Sequence, residues 1–217
     1  MSMGQVLLHP IWWMPLSAVH PLPVAKQTKC ATRPSTNMSN ANTVPVAGAS
    51  GRVSDSEEVE FSVEDLGFGV CLIVHDPQVR ASGVAHIVAP SSSVNSTYAG
   101  KYPYAFSDTA VPALLEALRK LSRNYAGAAW NDALKRFKVS LIGASEIRVS
   151  TPSASTAPSS DLNQGKLTAA KLRDTLKAAG LSVANEVLGG NGIRHVVVRN
   201  YTGRIVVTEP GRPQREF

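Results

Sequence analysis

The chain has 217 residues, of which 43% are hydrophobic and 18% charged, and its formal net charge is +6. That length allows one domain of ordinary size with extensions, and the hydrophobic content is enough for a core. Three of the six excess positive charges are Lys26, Lys29 and Arg33, in a segment without acids, and the rest are spread along the chain. Because no basic stripe with interleaved aromatics is present, the charge does not indicate a nucleic-acid-binding protein.

Cysteine usage and hydropathy together predict a cytoplasmic location. Cys30 and Cys71 are too few for a disulfide framework, which favours a reducing compartment. No apolar run approaches the roughly 20 residues needed to cross a bilayer, so no membrane insertion is expected. The first 24 residues lack a basic opening region and are interrupted by four prolines, unlike a signal peptide.

Residues 1–50 are rich in Pro, Ser, Thr and Asn and predict a disordered N-terminal extension. Their one apolar cluster, at residues 11–14, is either a docking peptide or a product of a mis-assigned start codon, with Met38 as the true start. The second interpretation is preferred. We expect the folded domain at residues 51–210 and a short C-terminal tail at 211–217.

The stretch from Asp65 to Pro90 predicts a β-hairpin. A strand is first expected at residues 58–63, and then two apolar runs, at about 69–75 and 82–89, flank an Asp-Pro turn. With a loop at residues 77–80, Cys71 lies directly opposite His86, with Cβ atoms about 4.5–5.5 Å apart. With a loop of only two residues, Gly69 lies opposite His86 and Cys71 becomes the diagonal neighbour. Both registers remain open from the sequence.

Residues 91–107 predict a long polar loop that carries four aromatic side chains: Tyr98, Tyr102, Tyr104 and Phe106. Because the loop follows the strand of His86, it either forms a wall of the substrate site or lies on the domain surface. Residues 108–123 predict a helix with an apolar stripe, capped by Ser107 or Asp108 and with Pro112 in its first turn.

The C-terminal half predicts strands at residues 137–142, 181–187, 193–199 and 205–208. A Ser/Thr/Pro-rich flexible surface loop is expected at 148–161, and a second helix runs from 164 or 168 to 179 and stops at Gly180. The expected fold is α+β, a layered α/β sandwich, with a mostly antiparallel sheet of six or seven strands and two main helices.

The central stretch resembles the CheD family of chemoreceptor glutamine deamidases. The family pattern is L-G-x-G-S-C, then Asp-Pro, then G-x-A-H and a Pro, and residues 66–71, 76–77, 83–86 and 90 are similar to it. Further similar motifs follow in the family's order at residues 100–102, 108–111, 142–145 and 189–191. The resemblance covers roughly residues 51–209. Relative to the family, Cys71 is two residues closer to Asp-Pro, and an ungapped alignment backwards from His86 places Gly69 at the nucleophile position.

The resemblance implies a cysteine-dependent deamidase. Cys71 would be the nucleophile and His86 the base, and Asp65, where the family has Thr, would orient the imidazole. Backbone N–H groups of Gly67 and Gly69 would stabilise the oxyanion. The implied partners are the cytoplasmic domains of chemoreceptors and a CheC-type phosphatase.

The residue types also allow a second interpretation. A lone cysteine in an apolar strand is commonly a small buried hydrophobe, so a CheD-like binding module without turnover stays open. His75, beside the turn, is expected to be solvated. Neither the histidine and cysteine spacing nor the GGNG turn predicts a metal site or a cofactor.

Overall fold

The computed structural model describes residues 42–121, 125–127, 129–146 and 164–217, all of which fall within one compact unit. Within these residues ten strands form two five-stranded sheets. The first sheet has the order β1-β3-β8-β9-β10, with strands Asn42–Pro45, Val59–Leu66, Arg194–Arg199, Arg204–Thr208 and Arg215–Glu216. The second has the order β2-β5-β4-β6-β7, with strands Ser50–Ser54, Ala81–Ile87, Val70–Asp76, Lys138–Gly143 and Val183–Leu188.

The helices of the described residues are α1 (Ser96–Lys101), α2 (Ser107–Leu121), α3 (Ala129–Arg136) and α4 (Gln164–Ala178). The apolar stripes of α2 and α4 pack on one face of the second sheet. The opposite face of that sheet packs on the first sheet. Because both of its faces are covered, every residue of β4 and β5 is buried. No described helix has the length and hydropathy that spanning a bilayer would require.

The layered α+β fold is confirmed, with differences in detail. The strands form two sheets rather than one, and most pairings are antiparallel, but β1 with β3 and β6 with β7 are parallel. Helices α2 and α4 and strands β6 to β9 occur close to where they were expected. Gly180 follows α4 with a φ of +76°, which suits the residue after a helix end.

Several segments differ from expectation. Strand β1 and the start of β2 come from the predicted extension, so the domain begins before residue 51, and residues 1–41 lie outside the description. The predicted tail contains β10, which pairs with β9. The polar loop at 91–107 contains a 3-10 turn, Ser92–Val94, and helix α1, because Ser91 and Asn95 cap them. The loop at 148–161 also lies outside the described residues.

Candidate functional site

Strands β4 and β5 form the predicted hairpin, with the four-residue loop at 77–80. Cys71 lies directly opposite His86, and Val70 lies opposite Ile87. Of the two registers left open by the sequence, the structure has the one with the four-residue loop. Directly opposed side chains lie on the same face of the sheet, with Cβ atoms about 4.5–5.5 Å apart. Here that face is the one turned towards the first sheet.

The Cys71 side chain is part of the core between the two sheets. It is fully buried in an apolar cluster that includes Phe61, Ile73, Val84 and Ile142. No hydrogen bond to its sulfur is present among the described residues, and burial raises the pKa of the thiol far above its ordinary value. In this conformation Cys71 is a protonated thiol without access to solvent, and a thiolate is the form that attacks amides.

His86 lies at the edge of this core. Its side chain is almost completely buried, and Nδ1 has no hydrogen-bond partner. Burial lowers the pKa of the imidazole, so it is neutral at pH 7. The tip of the ring lies against Gly69: a Cβ atom at residue 69 would be 2.5 Å from Nε2 and 2.9 Å from Cδ2. The ring therefore faces residue 69, although Cys71 is its cross-strand partner.

The loop of Gly67, Phe68 and Gly69 is fixed to the end of β6. Ala144 N–H donates to the Gly69 carbonyl at 2.8 Å, and Ser145 N–H donates to the Gly67 carbonyl at 3.1 Å. In the described part of the chain, the N–H groups of Gly67 and Gly69 donate to no acceptor. The oxyanion role predicted for these two groups remains a proposal.

Asp65 is not part of this arrangement. It is exposed, with a φ of +51°, where β3 shifts register against β8. It lines a cavity of about 300 Å³ together with six other residues: Glu64, Ile193, Arg194, His195, Thr208 and Pro210. No hydrogen bond joins Asp65 to His86, and burial is the one cause of the pKa shift of His86. The structure therefore does not bring Asp65 to the imidazole that it was expected to orient.

At the other end of the hairpin, His75 and Asp76 are buried. His75 Nδ1 lies 2.9 Å from Ser82 Oγ, so the expectation of a solvated His75 is wrong. Asp76 accepts hydrogen bonds from Arg136 at 2.7–3.0 Å and from the Tyr125 hydroxyl at 2.9 Å. Burial opposes the ionisation of Asp76, but the bonds from Arg136 and the other donors outweigh it and hold the pKa below its ordinary value. This cluster attaches α3 to the turn.

Comparison with known proteins identifies the family. The model of the family "CheD chemotactic sensory transduction" matches residues 89–209, which is more than half of the chain. The chain belongs to the CheD family. The matched region begins after His86, so it includes neither Cys71 nor the glycine loop.

Curated relatives extend the similarity over most of their own length. The chain is 27% identical over 173 residues, 76% of this chain and 88% of the relative, to a probable chemoreceptor glutamine deamidase CheD of Solibacter usitatus. It is 32% identical to a protein of the same name from Methanococcus vannielii, over 65% of this chain and 80% of the relative. The chemoreceptor glutamine deamidase CheD of Thermotoga maritima is 28% identical, over 67% and 80%.

One solved structure matches with low similarity. The C-terminal domain of CNFy from Yersinia pseudotuberculosis is 12% identical, covering 81% of this chain and 62% of that chain, with a TM-score of 0.35. At this score the likeness supports no conclusion about the CheD-family chain.

Arg194 of β8 binds the end of β6 to which the glycine loop is fixed, and it was not among the residues predicted from the sequence. Its guanidinium is buried and donates to the Gly143 carbonyl at 2.8 Å, to Ser145 Oγ at 3.2 Å and to Glu209 at 3.3 Å. Because Ser145 holds Gly67, this brace connects β8 to the glycine loop of the CheD-family site. The sequence could have indicated its burial, because Arg194 lies two and four residues before Val196 and Val198 and therefore on the same inward face of the strand.

Two apolar side chains near the ends of the hairpin strands are exposed. Phe68, next to Gly69, is 52% exposed, and Val88, on the same side of the chain as His86, is 38% exposed. Gly48 lies close to both Val88 and His86, since a Cβ there would be 3.8 Å from Val88 Cγ1 and 4.0 Å from His86 Cε1. Val88 is thus an exposed apolar side chain near the imidazole of this CheD-family protein, and Phe68 is a second one on the glycine loop.

Proposed function

We propose that this chain acts on glutamine side chains of chemoreceptors, through the site around His86. Family membership supports this proposal, because the curated relatives are named as chemoreceptor glutamine deamidases and the chain covers at least 80% of each. The carrying observation is the neutral imidazole with an unpartnered Nδ1, whose other end lies against the glycine loop, where two N–H groups have no acceptor in the described chain. Such groups suit a carboxamide, which has both a donor and an acceptor. Two forms of the function differ in the role of Cys71.

The first form is deamidation with Cys71 as the nucleophile. His86 would take the thiol proton, and the thiolate would attack the amide carbon to give a thioester as ammonia leaves with a proton from His86. Water, activated by His86, would then release glutamate and restore the thiol. Cys71 is the one cysteine among the described residues and lies directly opposite His86, which supports this form. Asp65 would have to move to orient the imidazole.

This first form requires a change in conformation. The sulfur is fully buried and its pKa is raised, so the strands or the first sheet must move before Cys71 can ionise and meet a substrate. Binding of a receptor would have to supply the free energy for that opening.

The second form is recognition of the receptor glutamine without turnover, as a binding module that also docks to a CheC-type phosphatase. It rests on one observation: the imidazole faces the glycine at position 69, and the buried sulfur makes no hydrogen bond with it. The exposed Phe68 and Val88 would serve the partner surface in both forms.

One experiment separates the two forms. The purified chain is incubated with cytoplasmic fragments of chemoreceptors, and conversion of glutamine to glutamate is measured by peptide mass spectrometry together with binding. In the first form the wild type converts glutamine, and Cys71→Ala and His86→Ala do not. In the second form the wild type binds without conversion, and His86→Ala weakens binding while the control His195→Ala, on β8, does not. Neither binding nor conversion would refute the proposed function.

A further inference from the structure

We infer that residue 69, and not residue 71, is the position from which a side chain engages His86, so that this chain has a glycine where its site needs a thiol. The inference rests on the proposed site at His86. It goes beyond the proposal by assigning Cys71 to the core and by predicting that a single substitution at Gly69 installs a reactive thiol.

The first argument is the position of the ring. A Cβ atom at residue 69 would lie 2.5 Å from His86 Nε2 and 2.9 Å from Cδ2, closer than real contacts allow. Both atoms belong to the tip of the buried ring, so the ring must shift to admit a Cβ atom. The nearest backbone atom, the Ile87 carbonyl oxygen, is 3.1 Å away and needs only a small adjustment. A side chain at 69 therefore displaces the ring slightly and lies in direct contact with the imidazole.

The second argument is the environment of Cys71. Direct opposition to His86 offers the shortest cross-strand separation, yet no hydrogen bond forms between the two side chains. The sulfur instead contributes to the apolar cluster between the sheets. Exposing it would require separation of β4 from β3 and β8, whose Phe61 and Val198 cover the same core. A side chain at residue 69 needs no such separation of the sheets to meet His86, because its Cβ would already lie against the tip of the ring.

The third argument is the unpartnered nitrogen. Buried polar atoms in proteins almost always have a hydrogen-bond partner, and a catalytic role is one of the reasons for an exception. Nδ1 of His86 is buried without a partner in the described chain, while the other end of the ring faces residue 69. In the tautomer that carries its hydrogen on Nδ1, the neutral ring can accept a proton at Nε2, the end that faces residue 69. A thiol at residue 69 would transfer its proton to Nε2 and leave a thiolate paired with an imidazolium.

The test is the reactivity of an introduced thiol, which needs no receptor. Gly69→Cys is made in the full-length chain together with Cys30→Ser and Cys71→Ala, so that the introduced thiol is the only one. Alkylation of this thiol by iodoacetamide is followed at pH 7. In this reaction the thiolate displaces iodide and forms one sulfur–carbon bond. The matched control is Gly100→Cys in the same background, because residue 100 is exposed and a Cβ there meets no atom within 4 Å. A third protein adds His86→Ala to Gly69→Cys.

The thiol of the Gly69→Cys protein is expected to react about tenfold faster than the thiol of the Gly100→Cys protein, because an ordinary thiol is only a few per cent ionised at pH 7. His86→Ala should remove that advantage. Equal rates for the two introduced thiols, or a fast rate at residue 69 that survives His86→Ala, would overturn the inference without bearing on whether the chain binds receptors.

A second measurement applies even where Gly69→Cys does not fold. The NMR titration of His86 is recorded in the wild type, in Gly69→Ala and in Cys71→Ala. The ring contact predicts that Gly69→Ala shifts the His86 resonances and its midpoint, while Cys71→Ala shifts them much less. The reverse order, with Cys71→Ala producing the larger change, would identify Cys71 as the partner of His86 and refute the assignment.

Discussion

Removal of the Cys71 sulfur tests whether this residue belongs to the core. Cys71→Ala deletes one fully buried heavy atom, comparable to a methylene, from the cluster between the sheets. Lost burial and the small cavity together should lower the free energy of unfolding by about 1–2 kcal/mol. Ile73→Val removes a methylene two residues along the same strand, in the same cluster. It should cost a similar amount, about 1 kcal/mol, and is the reference with which the effect of Cys71→Ala is compared.

The assay is urea unfolding at pH 7, with midpoints compared at constant m-value. Cys71→Ser should cost more than Cys71→Ala, because its hydroxyl enters an apolar cluster in place of the sulfur. A nucleophile held ready in an open site can be replaced without loss of stability. An unchanged or higher free energy of unfolding for Cys71→Ala, with Ile73→Val destabilised as expected, would refute the assignment of Cys71 to the core.

Other predictions concern the polar groups of the hairpin. Arg136→Met leaves the buried carboxylate of Asp76 unpaired and should cost about 3 kcal/mol of unfolding free energy, whereas Lys135→Met, in an exposed ion pair, should change it by less than about 0.5 kcal/mol. Equal effects of the two substitutions would contradict this role. Burial lowers the pKa values of His75 and His86 below 6.5. As the pH falls below 6.5, these histidines therefore bind more protons in the unfolded chain than in the folded chain. The free energy of unfolding should decrease from pH 7 to pH 5. Denaturation curves at these two pH values test this, and equal or greater stability at pH 5 would disprove it.

Local sequence patterns were sufficient to predict the elements whose own residues indicate a turn or an apolar stripe. The Asp-Pro turn between two apolar runs predicted the hairpin and left two registers, of which the observed one pairs Cys71 with His86. The apolar stripes of α2 and α4 predicted both helices, because each stripe packs on the second sheet.

Elements that depend on distant partners could not be predicted in the same way. Strand β1 has the sequence NTVP, without an apolar alternation, and is a strand because it pairs in parallel with β3. Burial of His75 follows from the turn between β8 and β9, where Gly203 lies against the imidazole. Nothing near His75 in the sequence indicates that turn, and a histidine beside Asp-Pro otherwise predicts exposure.

The sequence limited the site to two registers and did not predict its side-chain directions. One of those registers pairs Cys71 with His86, but the first sheet, which covers the sulfur, is built partly from β8 and β9, far along the chain. For the same reason Asp65, close in sequence to the glycine loop, lines the cavity near His195 and makes no hydrogen bond with His86. Arg194, more than a hundred residues away, supports the loop instead.

The most direct test of the central claim is conversion of glutamine to glutamate in chemoreceptor fragments by the wild type and by Gly69→Cys. With a thiol in contact with His86, Gly69→Cys is expected to raise the rate by about a hundredfold over the wild type, and His86→Ala should abolish the gain. A wild-type rate that disappears in Cys71→Ala and does not increase in Gly69→Cys would contradict the claim.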